Sequence, residues 1–200
     1  MINTILFDFG DIFINLDKQA PIVEFTKLGL KEWSEDLDKL NISFEKGKIS
    51  ELEFIEGFQK HMPNASIAEI RSAWNTILLD FPLYRLEFLQ MLSQKYRLFL
   101  LSNTDAIHID SFQHKAGVTF YREFYQCFER VYFSFELGMR KPDAEIFNYL
   151  IKKHDLTPKR TLFIDDKKEN TDAALALGFQ VWNLQVGQED VVHLFDKKII

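Results

Sequence analysis

One cysteine, Cys127, stands in 200 residues, so no internal disulfide can form. A reducing compartment is the simple reading, and a cytoplasmic protein is expected. No apolar run approaches the roughly 20 residues that a membrane helix needs. The opening stretch MINTILFDFG has no basic segment and carries Asp8 where a signal peptide would be apolar. Positive charge is also scarce. Lys and Arg total 24 against 30 Asp and Glu, a formal net charge of -6, which argues against a nucleic-acid partner. A small phosphorylated ligand stays open, because it needs only a local cluster of positive charge. The five histidines (His61, His108, His114, His154, His193) are scattered without the spacing of a zinc site. No repeat or low-complexity tract is visible.

What is abundant is phenylalanine, with 20 residues that supply large apolar area for a core. Three short apolar runs end alike in polar residues. Ile5–Phe7 runs into Asp8, Leu98–Leu101 into Ser102-Asn103, and Thr161–Ile164 into Asp165-Asp166. Continuous apolar runs of this length suit strands buried on both faces of a parallel sheet. Two more candidates are Val131–Phe135 and Phe179–Leu184. Helical periods at Leu83–Lys95, Asp143–His154 and Thr171–Leu177 alternate with these runs, which implies βαβ units. Residues 17–82 hold no strand-like run but four amphipathic stretches, Pro21–Lys27, Glu32–Leu40, Glu51–Lys60 and Ile67–Leu79. Ser50 with Glu53 reads as a capping box before the third. Trp33, Trp74 and the phenylalanines of this insertion are expected in its core, with one or two of them open to facing a ligand. The run Lys39–Lys48 is expected to be solvated surface. The expected fold is therefore α/β, a three-layer Rossmann-like parallel sheet (residues 1–16 and 83–200) with an inserted helical-bundle cap (residues 17–82).

In open α/β sheets ligands bind outside the carboxyl ends of the strands. That rule gathers Asp8, Ser102, Asn103, Asp165 and Asp166 at one edge, with Arg140-Lys141-Pro142-Asp143 just before a helix. Carboxylates brought together repel and raise one another's pKa. A hard cation with oxygen ligands, most simply Mg2+, and a lysine relieve that repulsion. A carboxylate nucleophile, a hydroxyl, an amide, a cation and an ammonium together suit phosphoryl transfer.

The motifs FDFG, LLSN, RKPD and FIDDKKEN, in that order, resemble those of the haloacid dehalogenase-like hydrolase superfamily, over residues 4 to about 184. The resemblance implies that Asp8 is the nucleophile that becomes an aspartyl-phosphate and also a metal ligand. It implies that the Gly10 carbonyl, Asp166 and Asp165 (directly or through water) complete a Mg2+ site. Ser102, Asn103 and Lys141 would hold the phosphoryl group, and Asn170 would orient the acidic loop. Most phosphatases of this family carry a second aspartate two residues after the nucleophile. Gly10 stands there instead, with Asp11 one residue later, where an extended chain turns the side chain the other way. The chain looks closest to the D-x-G subset, which includes sugar-phosphate phosphatases and relatives of epoxide-hydrolase N-terminal domains.

The expected activity is Mg2+-dependent hydrolysis of a small phosphorylated metabolite, with a sugar phosphate in view, by a monomer or weak homodimer. Two other readings compete. A carbon-halogen hydrolase would use Asp8 but needs no metal, and Asp165-Asp166 speaks against it. A non-catalytic ligand-binding member is supported by Gly10 alone. Arg140 is read as a surface or supporting residue and His108 as structural.

Overall fold

A computed structural model describes all 200 residues. Five parallel strands form one sheet in the order β3-β2-β1-β4-β5. They are β1 (Thr4–Phe7), β2 (Arg97–Ser102), β3 (Arg130–Phe133), β4 (Thr161–Asp165) and β5 (Gln180–Asn183). Side chains alternate across the sheet. Ile5 and Phe7 therefore enter one apolar cluster, shared with Leu86, Leu89, Ile109 and Phe124. Leu6 enters another on the opposite face, with Phe99, Phe147 and Phe163. Both faces are covered, and this is why β1, β2 and β4 read as unbroken apolar runs. The doubly wound α/β architecture follows directly. Phenylalanine supplies much of the first cluster, where Phe9, Phe13, Phe81, Phe112 and Phe124 pack with neighbouring ring centroids 5.0–6.4 Å apart.

Between β1 and β2 come α1 (Ala20–Lys27), α2 (Glu35–Glu45), α3 (Glu51–Gln59), α4 (Ile67–Trp74) and a 3-10 turn at Asn75–Ile77. Pro21 sits in the first turn of α1, where its missing N–H costs nothing. Ser50 opens α3 with a capping box to Glu53, and Ser66 does the same for α4 with Glu69. These helices bury a cluster of their own around Phe25, Phe44, Phe54, Phe58 and Trp74, with Trp33 against its edge. Ile107 is the one buried residue from outside residues 25–74 that joins it. α5 (Leu83–Ser93) then leads back into the sheet.

The remaining helices are α6 (Ala106–Ala116), α7 (Val118–Gln126), α8 (Ser134–Leu137), α9 (Ala144–His154) and α10 (Lys168–Ala176). Several elements depart from the sequence pattern. Strand β3 stops at Phe133, not Phe135, because Ser134 starts α8. The Ser134 hydroxyl accepts from Thr104 N–H and donates to Thr104 C=O, both at 3.0 Å, which fastens that corner to the end of β2. Two helices, α6 and α7, occupy a stretch where the sequence pattern assigns no element. The segment Lys39–Lys48 is solvated only in part, with Lys39, Ile42, Gly47 and Lys48 exposed. Phe44 is buried, Asn41 and Glu45 turn toward a cavity, and Lys46 pairs with Asp143 at 2.8 Å. The α2 pattern simply continues five residues past Leu40, and its polar flank meets protein rather than water.

Candidate active site

Register places the site. Phe7 lies opposite Leu100 of β2 and Ile164 of β4, so Asp8 and Asp165 emerge side by side one residue later. Asp8 N–H donates to Ile164 C=O at 2.9 Å, which holds the two strand ends together. Ser102 ends the neighbouring strand β2 and is buried. All three side chains thus arrive at the carboxyl edge of central strands, as the sheet rule requires.

Lys141 comes from the loop before α9 and is only 1% exposed. Its ammonium donates to Asp8 Oδ1 and to Asp165 Oδ2, each at 2.7 Å. Asn103 fixes the lysine's backbone: its Nδ2 donates to Lys141 C=O at 2.8 Å, and its Oδ1 accepts from Lys141 N–H at 2.9 Å. So Asn103 acts on the position of Lys141. Asp165 is further held by Lys167 N–H at 2.8 Å and by Asn170 Nδ2 at 3.0 and 2.9 Å. Both of its oxygens are committed to protein donors.

Asp166 is different. Its carboxylate meets one side-chain partner, the half-exposed Lys18, at 2.9 Å. Lys18 also reaches Asp11 Oδ2 at 2.8 Å. This lysine, at the exit from the first motif, was not expected from the sequence. No local pattern marks it, because its partners come from positions 7 back and 148 ahead in the chain.

Burial pushes the Asp8 carboxyl up to about 7. Lys141 opposes this rise, and Asp165 and Asp166 add to it. Burial pulls the Lys141 ammonium down, but Asp165 and Asp8 outweigh it and hold its pKa above the ordinary lysine value. The three carboxylates Asp8, Asp165 and Asp166 have oxygens within 4.8 Å of one another. One buried lysine leaves this set negative, and oxygen donors at that spacing fit a hard divalent cation such as Mg2+.

Gly10 lines the cavity with Asp8, but Asp11 does not. The Asp11 backbone is left-handed (φ 58°), and its carboxylate turns to Leu16 N–H at 3.1 Å and to Lys18. It therefore does not stand in for the acid missing at Gly10. A Cβ at Gly10 would lie 2.7 Å from Leu16 Cδ1, so a leucine branch fills the space beside the glycine.

The cavity at this edge measures about 230 Å³. Its floor is Asp8, Ser102, Asn103 and Lys141. Its outer wall comes from α2 (Asn41, Glu45) and from Trp74, Ile77 and Leu78. His108 also lines it, but both ring nitrogens are engaged. Nδ1 faces Asp105 Oδ2 at 3.0 Å, and Nε2 faces Trp74 C=O at 3.1 Å. Asp105 accepts from Trp74 Nε1 at 3.0 Å as well. Burial pushes His108 down, but Asp105 and the Trp74 carbonyl hold its pKa above the ordinary histidine value. His108 thus clamps α4 to α6, consistent with a structural role. Arg140 pairs with Glu45 at 2.9 Å across the same seam.

A family model described as haloacid dehalogenase-like hydrolase matches residues 2–178. The chain belongs to this family of hydrolases. It is 29% identical to a D-ribitol-5-phosphate phosphatase from Bacteroides thetaiotaomicron, over 94% of this chain and 95% of that protein. It is 28% identical to a sesquiterpene phosphatase from Aspergillus oryzae, over 86% of this chain and 85% of that one. The crystal structure of a haloacid dehalogenase family enzyme from B. thetaiotaomicron, in complex with magnesium and inorganic phosphate, superposes with a TM-score of 0.88. There the identity is 37%, with 98% of this chain and 100% of that chain covered.

Proposed function

We propose that this chain is a Mg2+-dependent phosphatase of a small phosphorylated metabolite and that Asp8 is its nucleophile. The observation that carries this is the Lys141 ammonium held 2.7 Å from both Asp8 and Asp165 at the floor of the cavity. That arrangement aims a carboxylate outward while neutralising its neighbours. An Asp8 oxygen attacks phosphorus, the ester P–O bond breaks, and the alkoxide leaves with the bonding pair and takes its proton from solvent water, since Gly10 offers no acid; the water of the second step returns a proton to solvent. Water then attacks the phosphorus of the aspartyl-phosphate and frees Asp8. Ser102 and Lys141 hold the equatorial oxygens, and Asn103 keeps Lys141 in place. Asp8, Asp166 and the Gly10 carbonyl would hold the metal, and Asp165, whose oxygens already accept from Lys141, Lys167 and Asn170, would support the site directly or through water. A bound magnesium supplies positive charge to the phosphoryl oxygens and to the carboxylates.

Residues 17–82 serve as the cap and residues 1–16 with 83–200 as the core. In support, the cap helices gather an apolar cluster that takes only Ile107 from the core, and they meet the core through polar pairs beside that contact. The relatives named above act on a pentitol phosphate and a sesquiterpene phosphate, and an alcohol phosphate is the common class. The formal charge of -6 speaks against nucleic acid as the substrate, and no helix is long and apolar enough to cross a membrane. A cytoplasmic monomer or weak homodimer completes the reading. The paired acids Asp165-Asp166 favour it over carbon-halogen hydrolysis.

The test is release of phosphate from an aryl phosphate with and without Mg2+. Turnover should require the metal and vanish in Asp8→Asn. Turnover that survives in Asp8→Asn, or none in the Mg2+-loaded wild type, sinks the proposal.

A further inference from the structure

The outer wall of the cavity has two unlike sides. Trp74, Ile77 and Leu78 make an apolar side, and Asn41 with Glu45 makes a polar one. Asn41 and Glu45 are four residues apart on α2, so they stand one above the other on a single face. Neither caps the helix, and neither packs in the apolar cluster formed by Leu37 and Phe44. Asn41 Oδ1 is buried and has no hydrogen-bond partner. Buried polar atoms without partners are uncommon, and each one calls for an explanation. Glu45 is 16% exposed at its side chain, and Arg140 engages only Oε2, through Nε at 3.1 Å and Nη2 at 2.9 Å. Glu45 Oε1 has no donor among the side-chain and backbone partners. The guanidinium balances the Glu45 charge, so a carboxylate can face the phosphate end of the cavity without repelling it.

Two polar side chains one helical turn apart, each with an unpaired oxygen, in a lining that also holds a tryptophan, match one chemistry. Hydroxyl groups donate to the acceptors, while the C–H face of the same carbon chain lies on the apolar side. We infer that Asn41 and Glu45 form a hydroxyl-reading subsite that selects polyhydroxylated phosphate monoesters, sugar or alditol phosphates, over alkyl and isoprenoid phosphates. This deepens the phosphatase reading and rests on it. A site built to bond substrate hydroxyls rejects analogues without them, by up to about 10⁴–10⁵-fold, because its own polar groups stay unpaired. An isoprenoid chain would leave Asn41 and Glu45 in that condition.

The experiment measures kcat/KM of the Mg2+-loaded full chain on a pentitol 5-phosphate, butyl phosphate and farnesyl phosphate. The pentitol ester should be preferred over butyl phosphate by about a hundredfold or more. That ratio should fall at least about tenfold in Asn41→Leu and in Glu45→Gln. The two variants disturb the helix differently, so a folding defect in one leaves the other to decide. A wild-type ratio within about threefold of unity, a preference for farnesyl phosphate, or a ratio unmoved in both variants overturns the inference. If the chain hydrolyses no phosphate ester at all, the aryl phosphate included, the phosphatase reading has failed and binding decides the subsite. Calorimetry then compares the pentitol phosphate with inorganic phosphate on wild type and Asn41→Leu. Tighter binding of the polyol that is lost in the variant upholds the subsite, and equal affinities reject it.

Discussion

Replacing Asp8 by Asn should stabilise the metal-free protein while destroying its activity. The carboxyl goes from an ordinary value of 3.8 to about 7 on folding, because burial, Asp165 and Asp166 together outweigh Lys141. Below pH 3.8 Asp8 is protonated in both states and contributes nothing. Between 3.8 and 7 the unfolded chain ionises while the folded carboxyl keeps its proton, so stability falls as pH rises. Above 7 the full cost is present, about 4 kcal/mol at 1.36 kcal/mol per pKa unit. The Asp8 side chain keeps 12% exposure, which reduces that figure, so about 2–4 kcal/mol is the working range. Asn has the shape of the neutral carboxyl and still accepts from Lys141, whose charge stays paired with Asp165. Urea unfolding in EDTA should therefore find Asp8→Asn more stable by about 2–4 kcal/mol at pH 8 and by only about 1 kcal/mol at pH 5. Added Mg2+ should stabilise the wild type more than the variant, since it binds the folded carboxylates. A variant less stable than wild type at pH 8 in EDTA refutes the reasoning. So does a gap that does not shrink toward pH 5.

Lys141→Met leaves Asp8 and Asp165 facing each other without a counter-charge. It should cost about 3–5 kcal/mol by denaturant melts and lower turnover by at least about 10²-fold. Gly10→Asp places a Cβ against Leu16, so alone it should add little. Combined with Leu16→Ala it should raise kcat on an alkyl phosphate by about 10-fold or more, with less gain on an aryl phosphate whose alcohol leaves readily. Asp105→Ala removes the partner of both Trp74 and His108, and it should cost about 3 kcal/mol, seen as a fall in Tm of about 6–12 °C. Because the His108 pKa is raised by folding, its contribution is whole below pH 6.5 and fades as pH climbs through the folded value. The Tm deficit of Asp105→Ala should therefore shrink at alkaline pH.

Much of the site is legible from strand ends. Asp8, Ser102 and Asp165 each close an apolar run, and the runs become strands because both sheet faces are covered. The helices of residues 17–82 also read directly, through their apolar period and the Ser50 cap. Helix α7 is harder. It is rich in phenylalanine and tyrosine, residues that also favour strands, and it becomes a helix by packing Phe120 and Phe124 against Phe81, some 40 residues away. The end of Val131–Phe135 was set by Ser134 bonding to Thr104, a contact no window on that run contains.

The sequence by itself determined the sheet class, the family and the residue types that meet at one edge, because strand ends and motif order are local. Only the tertiary structure decided how those residues divide the work. Asp165 is saturated by Lys141, Lys167 and Asn170, whereas Asp166 faces only Lys18. Asp11 turns away from the cavity on a left-handed backbone. Asn41 and Glu45, on a stretch that reads as surface, line the cavity instead. Each of these depends on side chains that meet across different elements, and no local period or propensity carries that information.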